Sequence, residues 1–307
     1  MSVRVMIPLD GSKLSERALP LGAAIAASDP DGVEVVHVHV PHPPIDLLGG
    51  TQYQFQGIDL DEYDRHDRAK EADYLGNVAR HVRSDLMAPA RWTLLEGDVP
   101  NAIDAHAEEE HTDLIVLTTH GRTGLSRLWL GSRAEALLRH TYHPMLLVPG
   151  KEGETRPEPT RLQHILVALD RGDVGEHALL PVTKLARTMG ARITLLHVLA
   201  SEVTFGPWTT LIPKENGVDA VEDAKEYLEG VADELRRAGY EVGTRVEIGH
   251  PVAATILAAA EKLDADLIAL GTHGYGAVNR FILGSVADKV IRGSARPVLV
   301  QPPPNRA

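Results

Sequence analysis

The sequence predicts two α/β domains in tandem, each built on an open parallel sheet of five strands with helices on both faces. The first reason is a repeat, because segments of the first half of the chain recur in the same order in the second half. The second reason is that short runs rich in Val, Leu and Ile alternate with longer amphipathic segments in each copy. Strands that alternate with helices along a chain lie parallel, and their helices cover both faces of the sheet.

The repeat preserves position as well as order. Near the start of the two copies the offset between matching residues is 160, and further along it is 153, so the middle of the first copy is seven residues longer. The matching pairs are VMIPLDGS (5–12) with ILVALDRG (165–172), VVHV (35–38) with LLHV (195–198), TDLIVLTTHG (112–121) with ADLIALGTHG (265–274), LGS (130–132) with LGS (283–285), and HPMLLVP (143–149) with RPVLVQP (296–302).

A polar segment separates the two copies. Residues 151–160 (KEGETRPEPT) combine Pro, Gly and charged residues, a composition typical of a linker. We therefore assign a first domain to residues 1–150, the linker to residues 151–160 and a second domain to residues 161–307.

The elements of the first copy follow from their hydrophobic patterns. Apolar runs predict strands at 3–9, 33–40, 91–96, 113–118 and 145–149. Amphipathic segments predict helices near 59–86, 99–110 and 131–141, and a further helix between the first two strands. That further helix contains Pro20, or Pro181 in the second copy, and a proline inside a helix costs about 3 kcal/mol unless the helix kinks. We therefore expect a bend at both prolines.

The composition limits the classes of function. Of 307 residues, 43% are hydrophobic and 24% are charged, which provides enough apolar material for two buried cores. The formal net charge of −12 argues against a general nucleic-acid or anionic-membrane surface, because both partners attract clustered Lys and Arg. The chain has no Cys, which excludes disulfides, thiolate catalysis and Cys-based metal sites. Since no signal-peptide pattern precedes the first strand and no apolar run reaches about 18 residues, we expect a cytoplasmic protein.

Polar residues follow the first and fourth strands of each copy. Asp10 and Asp170 end the first strands, and a Thr-His-Gly segment follows the fourth, with His120 in one copy and His273 in the other. In open parallel sheets, ligands bind beyond the carboxyl ends of the strands, where the strand order reverses. If the first and fourth strands are neighbours, the sequence predicts two equivalent clefts, each bordered by an aspartate and a glycine-containing loop.

The glycine spacing after the fourth strand carries a family resemblance. The second copy reads G-x2-G-x9-G-S over 271–285, and the first reads T-x2-G-x9-G-S over 118–132. This spacing resembles the motif of the ATP-binding branch of the universal stress protein family, and the resemblance covers nearly the whole chain, domain by domain. It implies two Rossmann-like domains of the adenine nucleotide alpha hydrolase-like type. It also implies a stress-response protein that binds ATP, with or without Mg²⁺ or Mn²⁺ on the phosphates.

The residue types of this motif suit an anionic ligand. Glycine lets the backbone approach a phosphate closely, and exposed N–H groups can point at its oxygens. Each Gly-Ser pair opens a predicted helix, whose free N–H groups and dipole attract an anion. The first copy adds Arg122, Arg127 and Arg133, with no acidic residue between 120 and 134. By the resemblance, Asp10 and Asp170 lie near the ribose and adenine.

The resemblance and the residue types together predict a set of nucleotide-binding residues, with no catalytic and no metal-ligating residue among them. In the first copy these residues are Pro8, Leu9, Asp10, Val38, Thr118, His120, Gly121, Arg122, Arg127, Gly131, Ser132 and Arg133. In the second copy they are Ala168, Leu169, Asp170, Val198, Gly271, His273, Gly274, Gly284, Ser285 and Val286.

Ordinary structural roles stay open for the same residues. Ser132 and Ser285 each precede an acidic residue by three positions and so have the form of a helix cap. The glycines can be turn formers, the two strand-1 aspartates can be turn or cap residues, and the arginines can form a solvated face. His37 and His39 share one face of a strand, but no carboxylate or Cys completes a metal site in the sequence.

Several functions other than ATP binding also stay open. A slow ATPase or autophosphorylating enzyme is one, although the chain has neither a GxxxxGK[ST] loop nor an H-x-G-H motif and shows no designated base. The family also implies AMP or cyclic-AMP sites and nucleotide-free interaction scaffolds. The expected partner is an adenine nucleotide, and neither nucleic acid nor a membrane. Family members often pair their last strands across a dimer, so either a homodimer or the two domains of one chain can form that pairing.

Overall fold

The computed structural model describes residues 2–41, 60–120, 132–150, 160–203, 211–213, 217–272 and 283–303. Within these ranges the chain forms eleven strands and nine α-helices, and the strands make one sheet. The predicted fold class is confirmed, since both halves of the chain are α/β and mainly parallel. Among the residues described, no helix combines the length and the apolar composition needed to cross a membrane.

Five parallel strands carry the first domain. They are β1 (Val5–Pro8), β2 (Val33–His39), β3 (Ala90–Glu96), β4 (Leu114–His120) and β5 (Met145–Gly150). Their order across the sheet is β3-β2-β1-β4-β5, so the first and fourth strands are neighbours. The order reverses between β1 and β4, which leaves a crevice beyond their carboxyl ends.

Four α-helices pack on the two faces of these strands. They are α1 (Leu19–Ala26), α2 (Leu60–Asp85), α3 (Val99–Glu109) and α4 (Ser132–His140). Successive side chains of a strand point to opposite faces, and β1 follows this rule. Val5 and Ile7 join the apolar layer that contains α1 and α2, whereas Met6 joins the layer that contains α3 and α4.

The second domain repeats this order. Its strands are β6 (His164–Ala168), β7 (Arg192–Val203), β8 (Leu211–Pro213), β9 (Val242–Gly249), β10 (Leu267–Gly271) and β11 (Val298–Gln301). Its helices are α5 (Asp173–His177), α6 (Leu179–Met189), α7 (Gly217–Arg237), α8 (Val252–Lys262) and α9 (Ser285–Gly293). The parallel order is β9-β7-β6-β10-β11, and β8 is an addition that pairs antiparallel with the end of β7.

The two domains join through their last strands. β5 pairs antiparallel with β11, with Leu146 opposite Leu299, so the sheet continues from one domain into the other. A second contact between the domains is an ion pair, in which the Lys184 ammonium lies 2.6 Å from a carboxylate oxygen of Asp113. The sequence left open whether the last strands pair between two chains or between the two domains of one chain, and in this structure they pair within one chain.

Each of the two prolines lies in the first turn of a helical segment that closely follows another. Pro20 is the second residue of α1, which follows a short 3₁₀ helix at Ser15–Ala18. Pro181 is the third residue of α6, which is separated from α5 by Ala178. The first turn of a helix has no intrahelical acceptor for its N–H groups, so a proline there loses no hydrogen bond. Each proline therefore lies where the chain passes from one helical segment to the next, and the cost of an interior proline does not arise.

A buried carboxylate ties the amino end of β2 to its neighbours. Glu34 accepts hydrogen bonds from the Thr93 hydroxyl at 2.7 Å and from Arg91 Nη2 at 2.8 Å, both on β3. Nε2 of His106, on α3, lies 2.9 Å from the same carboxylate. The side chain of Glu34 is only 5% exposed, so its charge depends on these partners for solvation.

We expect Glu34→Ala to lower the free energy of unfolding by about 2–3 kcal/mol, because it leaves the Thr93 hydroxyl and the mostly buried His106 ring without this acceptor. Urea unfolding followed by circular dichroism measures the change. Glu108→Ala is the control, because Glu108 is 85% exposed and an exposed carboxylate contributes at most about 0.5 kcal/mol. Equal losses for the two variants would show that the buried network adds nothing to stability.

Candidate functional site

A cleft of about 390 Å³ lies beyond the carboxyl ends of β6 and β10 in the second domain. It forms where the strand order reverses, since β6 and β10 are hydrogen-bonded neighbours. The structure therefore brings together the strand-1 aspartate, the start of the glycine motif and its end. The predicted residues that line this cleft are Ala168, Leu169, Asp170, Val198, Gly271, Gly284, Ser285 and Val286.

The first domain has a smaller cleft in the equivalent place, with a volume of about 110 Å³. An apolar wall from α3 and α4 closes one side of it, through Ile103 and Leu137. The predicted residues that line this cleft are Pro8, Leu9, Asp10, Val38 and Thr118.

The remaining predicted residues lie in or beside the two glycine loops. The structure ends β4 at His120 and begins α4 at Ser132 and Arg133, and it describes no side chain for these three residues. The predicted residues outside the described ranges are Gly121, Arg122, Arg127, Gly131, His273 and Gly274.

The turn after the first strand has the same form in both domains. A carboxylate oxygen of Asp10 accepts from the backbone N–H of Ser12 at 3.0 Å and from its hydroxyl at 2.6 Å. Asp170 accepts from the backbone N–H of Gly172 at 3.1 Å. The intervening residues are both left-handed, Gly11 with φ +83° and Arg171 with φ +66°. Each aspartate therefore shapes its turn and also borders a cleft.

The Asp10 carboxylate is held in its ionised form. Burial alone would raise its pKa, but the hydrogen bonds donated by Ser12 and Ser15 favour the charged state and lower the pKa below the ordinary value. An ionised carboxylate at this position can accept a hydrogen bond from a ligand hydroxyl.

Two positions of the repeat carry side chains in the first cleft and none in the second. Ser15 and Thr118 line the first cleft, whereas the repeat places Gly175 and Gly271 at the same positions of the second. The Thr118 hydroxyl donates to the carbonyl oxygen of Ser15 at 3.2 Å. This bond links the 3₁₀ helix to β4 across the cleft and fixes the threonine side chain inside it.

The end of the glycine motif forms the start of α9. Gly284 is the N-cap residue, and within the described part of the chain no side chain caps this helix by a hydrogen bond. The proposed role of Ser285 as a helix cap is therefore wrong, because Ser285 is the first residue inside the helix. The backbone N–H of Gly284 donates to the carbonyl of Thr272 at 2.7 Å, which holds the two ends of the loop together.

One histidine in each cleft was missing from the predicted set. Nδ1 of His197 lies 2.7 Å from the carbonyl oxygen of Leu169, and Nδ1 of His37 lies 2.7 Å from that of Leu9. A carbonyl oxygen only accepts, so Nδ1 carries the proton in both rings. The His-Val pair at the end of the second strand is the sequence signal, since it recurs at the same offset in both copies.

The apolar wall of the second cleft was also missing from the predicted set. It comes from α8, through Val252 and Ile256, and from Leu270 at the end of β10. Amphipathic periodicity alone shows that such residues are buried, and does not show that they border a cleft. Among the residues that the structure describes, no cluster of three or more His, Asp or Glu side chains has the arrangement of a metal site.

Comparison with known proteins agrees with this architecture. A Staphylococcus haemolyticus protein that bears the universal stress protein name is 32% identical over 139 residues, 45% of this chain and 83% of that protein. The structure of a universal stress protein from Archaeoglobus fulgidus DSM 4304 matches with a TM-score of 0.72 and 22% identity, over 97% of both chains. A structure from Pseudomonas aeruginosa UCBPP-PA14 matches with a TM-score of 0.62 and 19% identity, over 97% of this chain and 92% of that one.

The model of the universal stress protein family matches the chain twice, at residues 1–149 and 161–302. These two segments correspond to the two copies of the repeat and to the two halves of the sheet. The chain therefore belongs to the universal stress protein family and carries two copies of the family domain in tandem.

Proposed function

We propose that this protein binds ATP in a stress-response signalling or buffering role, with the second domain as its principal site. The observation that carries the proposal is the second cleft, where Asp170, Gly271 and the Gly284–Ser285 helix start border one space of about 390 Å³. That volume lies within the range of about 300–1,000 Å³ that is usual for small-molecule sites.

The lining of this cleft offers a partner for each part of a nucleotide. At the start of α9, the first N–H groups have no intrahelical acceptor and the helix dipole favours negative charge, as a phosphate requires. The side chains of Val198, Ile256 and Leu270 provide an apolar surface for a base. Asp170 can accept from a ribose hydroxyl.

A divalent cation would enter this site with the phosphates. Mg²⁺ usually keeps several water ligands and binds through phosphate oxygens rather than through a complete set of protein ligands. This behaviour is consistent with the absence of a metal-ligand cluster among the described residues.

The first domain is the weaker site in this proposal. Its cleft contains the side chains of Ser15 and Thr118 where the second domain has two glycines, and its volume is about 110 Å³. We therefore expect the second domain to bind nucleotide at least as tightly as the first.

Identification of the bound nucleotide tests the proposal directly. The purified protein is acid-extracted, the released nucleotide is identified and counted, and ATP with Mg²⁺, AMP and cyclic AMP are then titrated separately by calorimetry. We expect ATP to bind more tightly than AMP or cyclic AMP. A protein that releases no nucleotide and shows no heat or thermal shift with any of them would contradict the proposal.

Matched aspartate variants locate the site. We expect Asp170→Asn to weaken ATP binding by roughly tenfold, because a hydrogen bond to a charged group is worth about 1.5–3 kcal/mol. An asparagine oxygen can still accept from Gly172, so the turn is preserved. Asp10→Asn is the control, and a larger loss for Asp10→Asn than for Asp170→Asn would place the principal site in the first domain.

A further inference from the structure

A buried histidine in the first domain holds two carboxylates at once. His39 lies at the end of β2 and is 2% exposed. Its Nδ1 is 2.7 Å from an oxygen of Glu71, and its Nε2 is 2.9 Å from an oxygen of Asp64, both on α2. An ionised carboxylate only accepts hydrogen bonds, whereas a neutral imidazole has a single N–H. The two bonds therefore need one proton more than a neutral imidazole and two carboxylates carry.

One of these carboxylates, Glu71, also contacts a histidine that lines the first cleft. Nε2 of His37 lies 3.4 Å from the second oxygen of Glu71, and Nδ1 of His37 donates to the carbonyl of Leu9. Leu9 lines the cleft. The group formed by His37, His39, Asp64 and Glu71, which we name the histidine latch, thus joins α2 to β2 and to the end of β1.

Arg68 links the histidine latch to a third carboxylate through two ion pairs. Nε of Arg68 lies 2.9 Å from Asp64, and its Nη2 lies 2.6 Å from Glu96 on β3. Glu96 is the register partner of His39 in the β2–β3 ladder. The three carboxylates therefore outnumber Arg68, and protonation of His39 brings this part of the domain closer to neutrality.

The second domain lacks the histidine latch and supplies an internal comparison. His197 repeats His37, but the repeat places Leu199 at the position of His39 and Ala224 at that of Glu71. Leu199, Ala220 and Ala224 form a small buried apolar cluster. The contact between the long helix and the second strand is thus apolar in one domain and ionic in the other.

We propose that the histidine latch is a proton-dependent device that holds α2 against β2, and that it acts in the first domain only. In the first domain, α2 would then pack firmly against β2 when His39 is charged and loosely when His39 is neutral. Because an apolar contact has no titratable group, the second domain would not respond in the same way.

The direction of the pH dependence follows from the environment of His39. Burial lowers the pKa of His39, but the hydrogen bonds to Asp64 and Glu71 and their negative charges outweigh it, so the pKa is raised above its ordinary value. A histidine whose pKa is raised on folding stabilises the folded state. This stabilisation is fully present below the pKa of the unfolded state and is lost as the pH rises through the pKa of the folded state. The pKa of Asp64 is lowered by its bonds to His39 and Arg68, so its contribution is lost only in acid.

Hydrogen exchange compares the two domains within one molecule. The protection of amides in α2 and in α7 is measured at about pH 6 and about pH 8.5, on either side of the ordinary histidine range, after correction for the intrinsic exchange rate. We expect protection in α2 to fall several-fold at the higher pH, whereas α7 keeps its protection. An equal change in both helices would overturn the proposal.

The double variant His39→Leu with Glu71→Ala installs the residue types of the second domain. We expect its α2 to lose the pH dependence of protection, and the surface variant His81→Gln to keep it, because His81 pairs with Asp85 and is half-exposed. If the double variant does not fold, nitrogen-15 spectra of labelled histidine in the unaltered protein test the proposal instead, because they report the protonation of each ring nitrogen. Both ring nitrogens of His39 should remain protonated at pH values above the ordinary pKa of about 6.5. A neutral His39 ring just above that pH would contradict the proposal.

Discussion

Gly271→Thr is expected to weaken ATP binding at the second domain by about 5- to 150-fold, because placing extra side-chain atoms in an already shaped space costs roughly 1–3 kcal/mol. The variant places in the second cleft the side chain that Thr118 has in the first. Thr118 faces the carbonyl of Ser15, and a threonine at 271 would face the backbone at Gly175, the equivalent residue. Calorimetric titration with ATP and Mg²⁺ measures the change in affinity.

The reciprocal variant provides the matched control. Ser15→Gly with Thr118→Gly gives the first cleft the two glycines of the second, so we expect it to gain a nucleotide site or to tighten a weak one. The stoichiometry of the titration should rise towards two per chain. Unchanged affinity in the Gly271→Thr protein, with no gain in the reciprocal protein, would show that these side chains do not select the occupied domain.

Gly32→Ala is expected to lower the free energy of unfolding by about 3 kcal/mol or more, because it combines backbone strain with a steric clash. Gly32 has φ +67°, and a Cβ atom there would lie 1.9 Å from the carbonyl oxygen of Pro89. That oxygen accepts from the backbone N–H of Val33 at 2.9 Å, so it cannot move away without breaking the first bond between β2 and β3.

Gly190→Ala separates backbone strain from this steric clash. Gly190 has φ +68° at the end of α6, nearly the same angle, but no atom lies within 4 Å of a Cβ atom placed there, among the residues that the structure describes. We expect Gly190→Ala to cost about 1–2 kcal/mol, the value for a left-handed residue with a side chain. Urea unfolding measures both losses, and similar values for the two variants would mean that the contact with Pro89 relaxes freely.

Local patterns predicted the elements closely. The apolar run at 33–40 became β2 at Val33–His39, and the amphipathic segment near 59–86 became α2 at Leu60–Asp85. Hydrophobic periodicity is a local property, because each residue is placed by the face that its own element buries. The division of the chain into two helical segments near Pro20 and near Pro181 was not predicted, because periodicity does not mark where one helical segment ends and the next begins.

The site was predicted in part. Asp10, Asp170 and Gly271 border clefts because the carboxyl ends of neighbouring parallel strands meet at one edge, which the sequence order already implies. The wall residue Ile256 could not be assigned, since a buried position on a helix gives no sign of which cavity it faces. Ser285 had the form of a cap, and only the backbone angles of Gly284 assign the cap to the glycine.

By itself, the sequence determined the two domains, their parallel sheets and the positions of the aspartates and glycines at the strand ends, because these depend on repeats and on local periodicity. Only the tertiary structure decided that β5 and β11 pair within one chain, since a second molecule of the protein would offer the same strand edge. It also decided that Asp64 and Glu71 complete a cluster with His39, although 25 and 32 residues separate them along the chain. Packing of α2 on β2 creates that contact, and no sequence spacing reports it.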